Sequence, residues 1–110
     1  MTTFEINGNT YVAKDFDFNL ICDLEDKGVS MDSMSEKPMS MFRAYIAVCA
    51  NKSVRFAGME MQNHFINGGD LEELTEIISQ KMEESDFFQA MNQTETKEAP
   101  KKQTRKAKAE

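Results

Sequence analysis

The sequence predicts a mainly helical α+β fold: an N-terminal β-hairpin packed on a small bundle of about four helices, with a disordered basic tail behind it. Three observations predict it. Strand formers flank an Asn7-Gly8 pair near the start, apolar residues then recur at helical spacing between marked helix ends, and large apolar residues stop after Met91. With 110 residues and 40% hydrophobic content, there is material for one core and not for two. The domain is therefore placed at 1–91, its hairpin at 3–12, its helical part at 17–91, and the polar, basic tail at 92–110.

In "TFEINGNTYV", Asn7 and Gly8 are the two residues that a type I′ turn takes, because both of its central positions need positive φ. That register sets Phe4 opposite Tyr11 and on one face with Ile6, an apolar side for helices to cover. "DFNLICDLEDKG" follows, with Asp17 as N-cap, Phe16 and Ile21 spaced as a hydrophobic staple, and Gly28 for the left-handed residue beyond the end. Leu20, Ile21 and Leu24 make its stripe. "VSMDSMSEKP" is rich in turn formers and reads as irregular, leading to Pro38 at the first position of another helix. In "PMSMFRAYIAVCA", Met39, Phe42, Ile46 and Cys49 repeat at helical spacing while Met41, Tyr45 and Val48 widen the stripe, which predicts a central helix. Ser53 is placed to cap a third helix through about Ile66, and "NGGD" to end it. Asp70 with Glu73 has capping-box spacing, and Leu71, Leu74, Ile77, Ile78 and Met82 continue an apolar face along a long last helix. Asp86 reads as the cap of a final turn carrying Phe87, Phe88 and Met91. Beyond it the composition cannot bury enough apolar area to offset the entropy of ordering, so the tail is expected to be disordered.

Charge divides the chain. Of the formal charge of -6, residues 97–110 carry +4, from six Lys/Arg against two acids, which leaves -10 on residues 1–96. An acidic body repels nucleic acid and anionic lipid, and the basic tail lacks the aromatic residues that stack on bases. Neither nucleic acid nor membrane is expected as a partner. No leader-like start and no apolar run near the roughly 20 residues of a spanning helix is present, so the expected location is cytosolic.

Catalysis finds no foothold. Cys22 and Cys49 lack metal spacing and sit in apolar helical patterns, which reads as buried free thiols. His64, the single histidine, has no ligand set around it and is expected to be solvated or helix-capping. Glu72-Glu73 and Glu83-Glu84 fall on polar helical faces, where nothing desolvates a carboxylate. With no phosphate loop, nucleophile elbow or Ser/His/Asp set, neither enzyme activity nor a cofactor is expected.

Contact with another chain is the remaining chemistry. Nine methionines are present, and methionine adapts to surfaces of varied shape. Met39 and Met82 read as core filling, whereas Met31, Met34, Met59 and Met61 stand in or near loops and on mixed faces. Phe87 and Phe88 point about 100° apart on a helix, so Phe88 is expected to pack and Phe87 to be offered. The alternative is that both close the core against Phe4 and Tyr11. The candidate partner-binding residues are Phe87, Phe88, Met91, Met59 and Met61.

The segments "FEINGNTYVAKDFDFNLICDLEDKG", "KPMSMFRAYIAVC", "HFINGGDLEEL" and "ESDFFQAM", in this order, resemble the tail assembly chaperones of long-tailed bacteriophages, particularly those of Gram-positive hosts. The resemblance covers residues from about 4 to 91. It implies a protein of the host cytoplasm, missing from the mature virion, that binds the tape-measure protein and keeps it soluble until tail-tube subunits replace it. It also implies self-association, binding of the tail-tube protein, and a longer product made by a programmed frameshift, for which the codons of Lys101-Lys102 are a candidate position. Read without the resemblance, the residues equally describe a small acidic adaptor or inhibitor that acts by surface contact.

Overall fold

The computed structural model describes residues 2–91, and the expected tail at 92–110 lies outside the described residues. The fold is mainly α with an N-terminal two-stranded hairpin. Thr3–Ile6 (β1) and Asn9–Val12 (β2) pair antiparallel, with Phe4 opposite Tyr11 and Ile6 opposite Asn9. Asn7 and Gly8 have φ of 55° and 77°, the left-handed pair of a type I′ turn. Phe4 and Ile6 are buried beneath the sheet, as the alternation requires.

The first helix, Phe18–Asp26 (α1), starts where Asp17 Oδ1 accepts from the Leu20 N–H at 2.8 Å. It ends in a Schellman motif: the Gly28 N–H donates to Glu25 O and the Val29 N–H to Leu24 O, both at 2.9 Å, around Gly28 with φ of 95°. Cys22 on α1 and Cys49 are free and half-buried, less enclosed than their apolar surroundings in the sequence imply.

Pro38–Ala50 (α2) has its proline at the start and Asn51 in the left-handed conformation at its end, φ 57°. The buried face is Met41, Ala44, Tyr45, Ile46, Ala47 and Val48. This corrects the expected stripe, since Met39 is 58% exposed rather than core filling, and Phe42 and Cys49 are half-buried. Periodicity cannot orient a helix that is apolar on most sides; Tyr45 does so, because its buried hydroxyl needs an acceptor and finds Lys14 O at 2.7 Å.

Val54–Ile66 (α3) is capped by Ser53 Oγ, which accepts from the Phe56 N–H at 3.1 Å. It stops at Gly68, φ 90°, with the Gly69 N–H donating back to His64 O at 2.8 Å. Glu72–Glu84 (α4) then begins without the expected capping box. Asp70 Oδ1 accepts from the Glu72 N–H, but the Glu73 carboxylate has left the helix end and accepts from the Glu5 N–H, both at 3.1 Å. Glu5 faces away from the hairpin ladder, so its outward N–H is a donor in need of a partner, and Glu73 supplies it.

The long last helix breaks at Ser85, and a short helix follows at 86–91 (α5). Its cap is Ser85, not Asp86: Ser85 Oγ accepts from the Phe88 N–H at 3.0 Å and donates to Phe16 O. One aromatic file runs through the core, Tyr11 to Phe4 (5.7 Å between centroids), Phe4 to Tyr45 (6.1 Å), Tyr45 to Phe16 (5.5 Å) and Phe16 to Phe88 (5.5 Å). It joins the hairpin to α5 through α2, with each fully buried ring contributing roughly 1.5–3 kcal/mol.

Candidate functional site: a methionine-lined groove

Where the irregular segment before α2 approaches α4 and α5, the surface opens into a groove of about 520 Å³. Met31 and Met34 come from that segment, Pro38, Met41 and Phe42 from α2, Ile78 and Met82 from α4, and Phe88 from α5. Four of the nine methionines therefore share one concavity. Its polar groups are few: Asp32, Ser35, Thr75 and Ser79 stand among the apolar walls. Unbranched thioether side chains fit apolar ligands of differing shape, so such walls suit a partner whose contact residues vary along its length.

The sequence reading singled out Met31 and Met34 but not the other two methionines, and four of its five candidates, all but Phe88, lie outside the groove lining. Met82 is half-buried and both fills and lines the groove, while Met41 is buried at its floor. Phe88 packs as expected, 6% exposed and edge-on to Phe16, which leaves it little surface for a second chain. Phe87 is half-buried with its ring edge-on to the exposed Phe18 at 5.7 Å, and not against Phe4 and Tyr11. Met91 is exposed at the end of α5 and Met59 is exposed on α3, both away from the groove lining. Met61 is corrected to a core residue, buried on the face of α3 that carries Ala57 and Glu60.

A second polar arrangement holds the hairpin. Glu60, only 8% exposed, accepts at Oε1 from Asn7 Nδ2 (3.0 Å) and at Oε2 from Asn9 Nδ2 (2.7 Å) and the Tyr11 hydroxyl. Burial pushes this carboxyl up, but the three donors outweigh it and leave Glu60 below its ordinary value. Burial and the adjacent Glu60 push the Tyr11 phenol up to about 12. Burial also raises the Tyr45 hydroxyl and the Cys49 thiol above their ordinary values. His64 is half-buried, and its ring ties two backbone groups together instead of capping a helix. Its Nδ1 accepts from the Asn7 N–H at 2.9 Å and its Nε2 donates to Asp70 O at 2.8 Å, an assignment fixed because an amide only donates and a carbonyl only accepts. The lone acid inside α3 and the histidine one turn on are thus structural ties, with both carboxylate oxygens and both ring nitrogens engaged.

Among the described residues, no group of three His, Cys, Asp or Glu is placed to hold a metal ion, and no helix is long and apolar enough to cross a membrane. Compared with known proteins, the chain matches no family model, no curated protein and no solved structure.

Proposed function

We propose that this chain is a bacteriophage tail assembly chaperone that binds the tape-measure protein, keeps it soluble and helps recruit tail-tube subunits. The observation that carries the proposal is the groove walled by Met31, Met34, Met41 and Met82. A tape-measure protein, in this reading, is a long helical chain whose apolar stripe must be kept from other copies. An amphipathic helix enters an apolar groove through positions i, i+3, i+4 and i+7, and methionine walls accept many registers of one stripe without a fixed motif. No catalytic group, cofactor, nucleic acid or membrane has a part. The reading places the protein in the host cytoplasm during assembly and outside the mature virion, self-associated and joined by a longer frameshifted form.

The test is co-expression with the tape-measure candidate encoded beside it. Solubility and co-purification of that long chain only when this protein is present support the proposal, and both should fall when Met34 and Met82 are replaced by aspartate. A tape measure that stays insoluble, beside a folded and well-expressed chaperone candidate, counts against it. The alternative, a small acidic adaptor or inhibitor, then leads.

A further inference from the structure

On α4 the methionine groove is lined by Thr75, Ile78, Ser79 and Met82. Successive residues of a helix turn by about 100°, so Glu72, Glu76 and Glu83 all fall within about 60° of Ser79. They form an exposed row along the groove's edge, while Leu74 and Ile78 mark the inner side of the helix. Among the described residues none of the three joins an ion pair. Across the groove Asp32 is the one charged lining residue, and the exposed Glu36 and Lys37 that follow it offset each other. The other nearby cations are turned away: Lys81, the single basic residue of α4, is bound to Asp15 at 2.8 Å, and the Arg43 stem lies beside Gly58 of α3. Apolar walls are thus bordered by four exposed carboxylates.

Any amphipathic helix gains by burying its apolar stripe in such walls, and the charged border decides which helix is accepted. Glu72, Glu76 and Glu83 stand at i, i+4 and i+11, a rise of about 16 Å. A helix lying along α4 has the same rise per residue, so its own positions i, i+4 and i+11 meet those carboxylates turn for turn. Lysine or arginine there makes ion pairs and lays its stem over the apolar walls, whereas glutamate is repelled. A second copy of this chain supplies no such row. Its residues 1–96 carry -10, and none of α1, α2, α3 and α4 has more than one Lys or Arg.

We propose that the groove takes a basic amphipathic helix of another protein, with Lys or Arg at successive turns along one flank of its apolar stripe. This rests on the groove being the partner site proposed above, and adds the charge of the partner. The test uses the full chain with ¹³C at its methionine methyls and two synthetic helices of about 18 residues that share one leucine stripe, flanked by lysine in one and by glutamate in the other. The methyls of Met31, Met34, Met41 and Met82 should shift on titration, and that of Met59 on α3 should not. The lysine peptide should bind about ten-fold more tightly at about 20 mM salt, the worth of three exposed ion pairs, and the preference should fall below about two-fold at about 500 mM. Glu72→Gln with Glu76→Gln and Glu83→Gln should remove the preference at low salt and leave the circular dichroism spectrum unchanged. Asp23→Asn with Glu25→Gln and Asp26→Asn, which takes the same charge from exposed positions of α1, should leave most of it. Equal binding of the two peptides overturns the proposal and leaves the groove a partner site. A preference that both triple variants lose alike also overturns it, since that is the general attraction of an acidic body. Groove methyls that neither peptide moves overturn this inference and the groove reading together. Methyls that move when the free protein is diluted give the groove to a second copy, and overturn it as well.

Discussion

Replacing Glu60 with alanine tests whether one carboxylate holds the hairpin on the helices. Three donors converge on it, two of them from asparagine side chains and one from the Tyr11 hydroxyl. Once the acceptor is gone, the asparagines turn to water and recover part of what they lose, whereas the half-buried phenol does not. At roughly 1 kcal/mol for a neutral hydrogen bond and up to about 3 for one to a charged group, the expected loss is about 2–4 kcal/mol. That is a large part of the roughly 5–15 kcal/mol that stabilises a domain. Glu60→Gln keeps the volume but turns an amide nitrogen toward a donor, and is expected to lose about 1–2 kcal/mol. The pH dependence gives a second readout. Because the folded-state value of Glu60 lies below the ordinary 4.5, its contribution is complete above that pH and disappears as the pH falls through the lower folded value. Urea denaturation followed by circular dichroism should therefore separate wild type from Glu60→Gln at pH 7 and show the gap narrowing progressively as the pH is lowered below 4.5. A Glu60→Ala protein within about 0.5 kcal/mol of wild type at pH 7 refutes the reasoning, because a change that small belongs to an ordinary surface site. A gap between wild type and Glu60→Gln that is unchanged in acid does the same.

Other parts of the structure give sharper contrasts between neighbours. Phe88→Ala should lose about 3–5 kcal/mol by opening a cavity beside Phe16, while Phe87→Ala should lose under about 1 kcal/mol and instead weaken partner capture, as thermal melts and pull-downs will show. Ser85→Ala removes both the cap of α5 and the bond to Phe16 O, for about 1–3 kcal/mol, whereas Asp86→Ala should be nearly silent in the same denaturation assay. At Gly69 a Cβ would stand 2.4 Å from the His64 ring. Gly69→Ala should therefore push the ring off the Asn7 N–H, cost about 1–3 kcal/mol, and speed hydrogen exchange at the Asn7 amide.

Legibility in the sequence followed the range of each interaction. The Asn7-Gly8 turn, the caps at Asp17 and Ser53, Pro38 at the head of α2 and the stop at Gly28 all depend on residues within five positions, and each was readable there. The face of α2 was not, because its orientation depends on an acceptor at Lys14 that no window around Tyr45 contains. Glu73 was misassigned for the same reason: a backbone donor on β1, 68 residues away, competes for it and wins. Glu60 carried no local sign at all, being one acid among mixed residues whose partners lie 49 to 53 positions earlier. The groove was half legible, since Met31 and Met34 stand in a turn-rich segment. Met41 and Met82 become its walls only through the packing of α2 against that segment and α4.

The bond between Ser85 and Phe16 joins positions 69 residues apart in a domain of about ninety. A ribosome adding about 5–20 residues per second takes about 3–14 s to make the second after the first. For the last 40 residues of that interval Phe16 and Tyr45 are both made, yet the side of Phe16 that Phe88 covers still lacks its partner. The domain is thus sealed from its far end, and its most exposed moment in the cell comes just before synthesis of the folded part is complete.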